Sequence, residues 1–132
     1  MKTCALFFIL FSISFFAKSQ TDTKPKEEVL VFAEQMPEYP GGQDSMVGFL
    51  KQNIIYPALA KNNWIEGRVL ISFVLSADGK ISDVEALTKR GWGLEEEAIR
   101  VVKLMPDWIP GKQNGKSVNV KFTLPVTFRL SK

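Results

Sequence analysis

Three consecutive carboxylates, Glu95, Glu96 and Glu97, are the side chains of this 132-residue chain that most resemble an acid–base pair. They fall in the first turn of a predicted helix, where adjacent positions point in different directions and do not converge on one substrate. The chain has no histidine, which removes an imidazole base and histidine-ligated metals, and its single cysteine is Cys4. We therefore predict that the protein is not an enzyme and uses no cofactor or metal.

Residues 1–19 predict an export signal. Lys2 precedes an apolar run that extends from Cys4 to Ala17, and small residues at positions 17 and 19 precede Gln20. The run is shorter than the roughly 20 apolar residues that span a bilayer, so we expect cleavage before Gln20 and a periplasmic protein. The alternative is a retained leader that anchors the protein in the inner membrane, facing the periplasm.

The charge of the chain does not favour nucleic acid as a partner. Without Lys2 and Lys18 of the leader, the 17 basic residues fall to 15 against 14 acidic ones, a net charge of +1. The charges are unevenly placed, because residues 98–132 hold seven basic residues and one acidic residue, Asp107. This asymmetry fits either ordinary solvated faces or a basic edge that attracts an acidic peptide.

Three helices are predicted in a single domain, residues 29–132, which follows a polar tether at residues 20–28. Asp44 is placed to cap the first helix, and Pro57 suits the first position of the second. The third helix carries apolar residues at helical spacing and stops before Pro106. The predicted helices cover residues 45–52, 57–63 and 94–105.

Alternation of apolar and polar residues predicts the strands of one sheet. Asp78 and Gly79 form the turn of a hairpin, whose second strand needs a bulge near Ser82 and Asp83 to keep its register. The last strand is the most regular, because every even position from 118 to 130 is apolar. The predicted strands cover residues 29–32, 68–75, 81–88 and 117–130.

The order of these elements predicts an α+β fold, with two short helices followed by a β-β-α-β unit. The crossover helix sets the last strand beside the first strand of the hairpin, which gives a three-stranded antiparallel sheet of order 2-1-3 with helices on one face. Pro125 has no amide to donate, so the last strand is expected at an edge. A long exposed edge can accept an extended peptide as an added strand.

An ordered series of short motifs over residues 31–130 resembles the C-terminal domain of TonB energy-transducing proteins, in the form common in Bacteroidetes-type bacteria. The chain carries Asn53-Ile-Ile-Tyr-Pro57 where that family has Gln-Pro-x-Tyr-Pro. The motifs are Pro37-Glu-Tyr-Pro-Gly-Gly42, Tyr56-Pro57, Glu66-Gly-Arg-Val69, Asp78-Gly-Lys-Ile81, residues 94–98, Trp108-Ile-Pro-Gly-Lys112, Asn114-Gly115 and Phe122-Thr-Leu-Pro-Val-Thr-Phe128.

The resemblance implies a domain that binds the TonB-box segments of outer-membrane transporters in energy-coupled transmembrane transport. It also implies an inner-membrane proton-driven motor complex as a second partner, and the edge strand is compatible with a homodimer. The alternative is a periplasmic scaffold or assembly module that pairs through the same edge without transmitting force. Trp108 is expected in the core. The expected partner-binding residues are Asn53, Tyr56, Pro57, Val118, Asn119, Val120, Lys121, Phe122, Thr123 and Leu124.

Overall fold

A computed structural model of the chain describes residues 28–131, and this part contains three helices and five strands. The predicted leader at residues 1–19 and the tether up to residue 27 lie outside the described residues. In chain order the elements are β1 (Val29–Leu30), α1 (Gln43–Asn53), α2 (Ala58–Asn62), β2 (Gly67–Leu75), β3 (Ile81–Ala86), α3 (Leu94–Lys103), β4 (Gly111–Gln113) and β5 (Lys116–Phe128).

The centre of the sheet has the predicted strand order. β2 lies between β3 and β5 and pairs with both in antiparallel orientation. The ladder between β2 and β5 runs from Leu75 opposite Val120 to Gly67 opposite Phe128. The expected bulge is present in β3, where the register shifts and Asp83 has a φ of 50°. The α+β class and the hairpin are therefore confirmed.

The sheet is larger and more mixed than predicted. β1 pairs with β5 in parallel, with Val29 opposite Asn119 and Leu30 opposite Val120, and β4 pairs in antiparallel orientation with residues 116–118. The prediction of a three-stranded antiparallel sheet is wrong in both strand number and direction. The prediction that the whole last strand is an edge is also wrong. β1 has two residues and β4 has three, which are too few to show a period in the sequence. The pairing of β1 with β5 and the presence of β4 were therefore not predicted.

The helices cover one face of the sheet, as predicted, and the core lies between them. Met46 of α1, Ala60 of α2 and Leu94 of α3 are buried against the inward-facing side chains of β2 and β5. Trp108 is buried in the same cluster, and its ring packs edge-on against Tyr39 at a centroid distance of 5.6 Å. No helix in the described part of the chain is long and apolar enough to cross a membrane.

The starts of the first two helices differ from the prediction. Gly42, with a φ of 86°, is the N-cap of α1, because its carbonyl already accepts a hydrogen bond from Met46. Asp44 therefore lies inside the first turn, where its carboxylate can interact with the helix dipole but does not cap the helix. Pro57 precedes α2 as its N-cap.

The turn of the hairpin requires glycine at position 79. Gly79 has a φ of 81°, and a Cβ atom there would lie 1.9 Å from the carbonyl oxygen of Trp108. The amide of Trp108 donates to the carbonyl of Gly79 at 2.8 Å, so the turn and the residues before β4 are in direct backbone contact.

Candidate functional site

Beyond Val120, β5 presents backbone groups that its neighbour β2 does not use. The amide of Leu70 in β2 donates to Thr88, and the carbonyl of Leu70 accepts from Leu87, at 3.3 and 2.8 Å. Both backbone groups of Leu70 therefore face β3, and its partner Pro125 must face away from β2. Backbone direction alternates along a strand. The other residues beyond position 120 that face away from β2 are Lys121, Thr123 and Thr127.

We call residues 121–128 of β5 the free edge, because β2 is the one described strand that lies opposite them in register. Lys121, at the start of this edge, also faces the end of β1. Outward-facing amides and carbonyls on a free edge can pair with an added strand. Four of the predicted contact residues lie on this edge. They are Lys121, Phe122, Thr123 and Leu124.

The preceding part of β5, residues 116–120, is paired with the short strands. Val118 lies opposite Gly111 of β4, while Asn119 and Val120 lie opposite β1. An incoming strand that starts at Val118 would meet positions that the chain itself already occupies. The expectation that a peptide pairs beside residues 118–120 therefore does not match the edge that the structure leaves free.

A groove of about 750 Å³ lies between α1 and the C-terminal end of the free edge. Apolar side chains form most of its wall, and the strand side of the groove includes Pro125 and Phe128. Side chains of a strand added to the edge would alternate between this groove and the opposite face. The groove is lined by Val47, Leu50, Lys51, Ile54, Tyr56, Pro125, Val126, Thr127, Phe128, Arg129 and Ser131.

Tyr56 is the predicted contact residue that the structure brings closest to this groove. Its ring packs edge-on against Phe128 with centroids 5.8 Å apart, and its hydroxyl donates to the carbonyl of Ile65. Burial and, to a smaller extent, the carboxylate of Glu66 raise the pKa of Tyr56. The hydroxyl therefore remains a neutral donor at neutral pH, and the ring is fixed as one wall of the groove.

Asn53 has a structural role at the end of α1. Its side-chain amide donates to the carbonyl of Phe49 at 2.8 Å, and its own carbonyl accepts from Arg100 at 2.8 Å. Arg100 also pairs with Glu97, which raises the pKa of the arginine, and Glu97 accepts from the amide of Ile55 at 3.3 Å. These contacts fix the loop that carries Tyr56 into the groove.

Pro57 also helps to fix the loop that carries Tyr56, through its packing against a neighbouring turn. A Cβ atom at Gly93 would lie 3.2 Å from the Cβ of Pro57, so the proline packs against the turn before α3. Pro57 does not line the groove, and neither does Asn53. The structure thus separates the three predicted residues of this segment into one groove residue, Tyr56, and two residues that position its loop.

Sequence reasoning missed the helix side of the groove. Val47 and Leu50 lie on α1 beside the groove, and Val47 is 38% exposed although the helix has a buried residue, Met46, next to it. The signal was the apolar run in α1, which is wider than one core-facing stripe needs. The lining also includes two cations, Lys51 and Arg129, and no carboxylate.

The described residues contain no cluster of three or more histidine, cysteine or acidic side chains that could hold a metal ion. Of the three carboxylates of α3, the two that are buried, Glu95 and Glu97, make structural contacts. Glu95 accepts hydrogen bonds from the amides of Arg90 and Gly91, and Glu97 contacts Arg100. These contacts organise the ends of loops.

Comparison with known proteins identifies the class of domain that this fold and edge define. Residues 52–130 match the model of the Gram-negative bacterial TonB protein C-terminal family. The chain belongs to this family, which is a transport-related, non-enzymatic domain family. The resemblance that the motifs indicated is therefore confirmed.

Two solved structures of the Helicobacter pylori TonB C-terminal domain are similar to the chain. The structure of its residues 179–285 is 24% identical, covers 70% of this chain and 88% of its own, and has a TM-score of 0.47. The structure of its residues 194–285 is also 24% identical, covers 63% of this chain and 89% of its own, and has a TM-score of 0.44. No curated protein matches the chain.

Proposed function

We propose that the protein is a TonB-like periplasmic domain that binds TonB-box segments of outer-membrane transporters by strand addition. The binding site is the free edge of β5 together with the groove beside α1. The observation that carries this proposal is the outward-facing backbone row at Thr123, Pro125 and Thr127 next to that apolar groove. The family of the chain supports transporters as the class of partner.

Strand addition fits the chemistry of this site. The amides of Thr123 and Thr127 and the carbonyls of the outward-facing residues would form the hydrogen bonds, which are largely independent of peptide sequence. Pro125 contributes a carbonyl but no donor. Alternate peptide side chains would enter the groove, where Tyr56 and Phe128 provide apolar contact.

The location of the protein decides whether it can transmit force. A chain cleaved before Gln20 would act as an untethered periplasmic domain, whereas a retained leader would hold it near the inner-membrane motor complex. N-terminal sequencing of the protein from periplasmic and inner-membrane fractions tests this. We expect a periplasmic chain that begins at Gln20, and an intact chain in the inner membrane would contradict that expectation.

The docking proposal is tested most simply with Thr123→Pro. This change removes one outward-facing amide, and the neighbouring Pro125 shows that β5 accommodates proline at an outward-facing position. Loss of one hydrogen bond predicts about tenfold weaker binding. The probe is a synthetic peptide that carries the TonB-box segment of an outer-membrane transporter from the same genome, and binding is measured by isothermal titration calorimetry.

The matched control is Thr123→Val, which keeps the amide and the β-branched shape and replaces only the hydroxyl with a methyl group. We expect it to bind like the parent, and circular dichroism should show both variants folded. A folded Thr123→Pro variant with parental affinity would move the site away from this edge. Self-association of the parent that Thr123→Pro abolishes, without peptide binding, would instead assign the edge to the scaffold function or to a homodimer.

A further inference from the structure

The edge of β5 has a second occupant, which is the chain's own N-terminal strand. β1 pairs in parallel with Asn119 and Val120, immediately before the free edge begins. Val120 lies opposite Leu75, and its backbone groups face β2 by the alternation described above. The hydrogen bonds to β1 must therefore come from the outward-facing residues that flank Val120, which are Asn119 and Lys121.

This geometry places Leu30 across the start of the free edge. As the partner of Val120 in a parallel ladder, Leu30 directs its amide to the carbonyl of Asn119 and its carbonyl to the amide of Lys121. Val31 follows directly and must leave the sheet beside Lys121. A peptide strand that pairs with Lys121 would need the space and the hydrogen bonds that β1 uses.

β1 is weakly held. It is only two residues long, and one of them, Val29, is 42% exposed. The next residues gain little from the pairing, because Val31 is 76% and Phe32 is 79% exposed. A strand of this kind contributes little apolar burial to the fold and can separate from the sheet at low cost.

The chain is fixed again immediately after this segment. Gln35 and Lys112 exchange two backbone hydrogen bonds, at 3.0 and 2.8 Å, and the amide of Glu34 donates to the side chain of Gln113 at 2.9 Å. Release of β1 therefore leaves the hydrogen bonds of Glu34 and Gln35 in place. The pairing of β4 with β5 does not depend on it.

We propose that β1 is an autoinhibitory strand, which blocks the start of the free edge while it is paired and is displaced when a peptide docks. This inference rests on the proposed docking at the free edge. Apparent affinity then equals the intrinsic affinity reduced by the fraction of molecules in which β1 is released. If β1 pairing is worth about one net hydrogen bond, its removal tightens peptide binding about fivefold.

The test compares the full chain with Leu30→Pro, using the same TonB-box peptide in calorimetry. Proline at this position removes the amide that faces Asn119 and should release β1. Phe32→Pro is the matched control, because it introduces proline at an exposed residue outside β1. We expect Leu30→Pro to bind about fivefold more tightly than the parent and Phe32→Pro to bind like the parent.

Amide hydrogen exchange of the parent provides a second measurement that does not depend on a substitution. Peptide addition should speed exchange at Leu30 while it slows exchange at Thr123 and Thr127. Parent and Leu30→Pro could instead bind with equal affinity, with Leu30 of the parent still protected in the complex. That result would show that the peptide pairs with β5 only beyond Lys121, and it would overturn the autoinhibition alone. Absence of binding in all three chains would overturn the docking proposal and the inference with it.

Discussion

The two parts of β5 share one alternating sequence pattern but have different surroundings. Residues 116–120 are paired with β4 and β1, whereas residues 121–128 pair with β2 and, beyond Lys121, leave their other side free of any described strand. Both parts contribute buried side chains, which are Val120 in the first and Leu124, Val126 and Phe128 in the second. The difference lies in the segments that pack beside the strand, so a period-two pattern predicts a buried face without predicting which stretch of edge remains available.

The largest expected effect is on stability, at the segment that packs beside the paired part of β5. A Cβ atom at Gly111 of β4 would lie 2.8 Å from Cγ2 of Val120 and 3.0 Å from the carbonyl oxygen of Gln35. We expect Gly111→Ala to lower the free energy of unfolding by about 1–3 kcal/mol, measured by urea denaturation.

Gly48 of α1 provides the control for this substitution, because no atom lies within 4 Å of the position that its Cβ would take. Gly48→Ala should stabilise the protein by about 0.5–1 kcal/mol, since alanine favours a helix interior. An unaffected Gly111→Ala variant would show that β4 packs loosely beside residues 116–118 of β5, and would contradict the close packing described for that part of the strand.

A smaller effect is expected at the groove wall. Tyr56→Phe keeps the ring contact with Phe128 and removes the hydrogen bond to Ile65. We expect it to lower the free energy of unfolding by about 1 kcal/mol at neutral pH. Burial and Glu66 raise the pKa of Tyr56 in the folded state. The neutral hydroxyl therefore contributes fully to the free energy of unfolding below the ordinary pKa of 10.0, and this contribution is lost as pH rises through the raised pKa.

The pH dependence gives this prediction its control. Unfolding free energy of the parent should fall above pH 10.0, and the fall should be shallower in Tyr56→Phe. Some slope should remain in the variant, because burial also raises the pKa of Tyr39. Identical alkaline profiles for parent and variant would contradict a fixed, half-buried Tyr56 hydroxyl at the groove.

The smallest expected effect concerns the cations of the groove. Lys51→Glu reverses one of the two positive charges in the lining and should weaken a peptide that carries an acidic residue by about two- to fivefold at low ionic strength. Lys61→Glu on α2, outside the groove, is the matched control and should change affinity less. An equal loss for both variants would assign the effect to net charge and remove any role of the groove.

The sequence predicted the parts of the fold that depend on long local patterns. Alternation located β2, β3 and β5, and helical spacing located α3, so the central antiparallel order followed from the crossover. The bulge at Asp83 was also predictable, because the apolar spacing in β3 breaks there. These signals extend over six or more residues and need no knowledge of distant segments.

The edge of the sheet was less predictable for a physical reason. β1 is two residues long and pairs with residues 90 positions later in the chain, so its partner leaves no mark in its own sequence. β4 was detectable only through its turn, because Asn114 and Gly115 both have positive φ, which is typical of a tight hairpin. Tyr56 was predicted to lie beside a docked peptide, and the structure places it in the lining of the groove. Its contact with Phe128 joins segments that no local pattern connects.

Amide hydrogen exchange along β5, with and without the TonB-box peptide, tests most directly whether the free edge is the docking site. Leu124 and Val126 face β2 and serve as internal references that should be protected in both samples. We predict that the peptide slows exchange at Thr123 and Thr127 by at least about tenfold and leaves the references unchanged. Peptide binding with unchanged exchange at Thr123 and Thr127 would contradict docking at this edge.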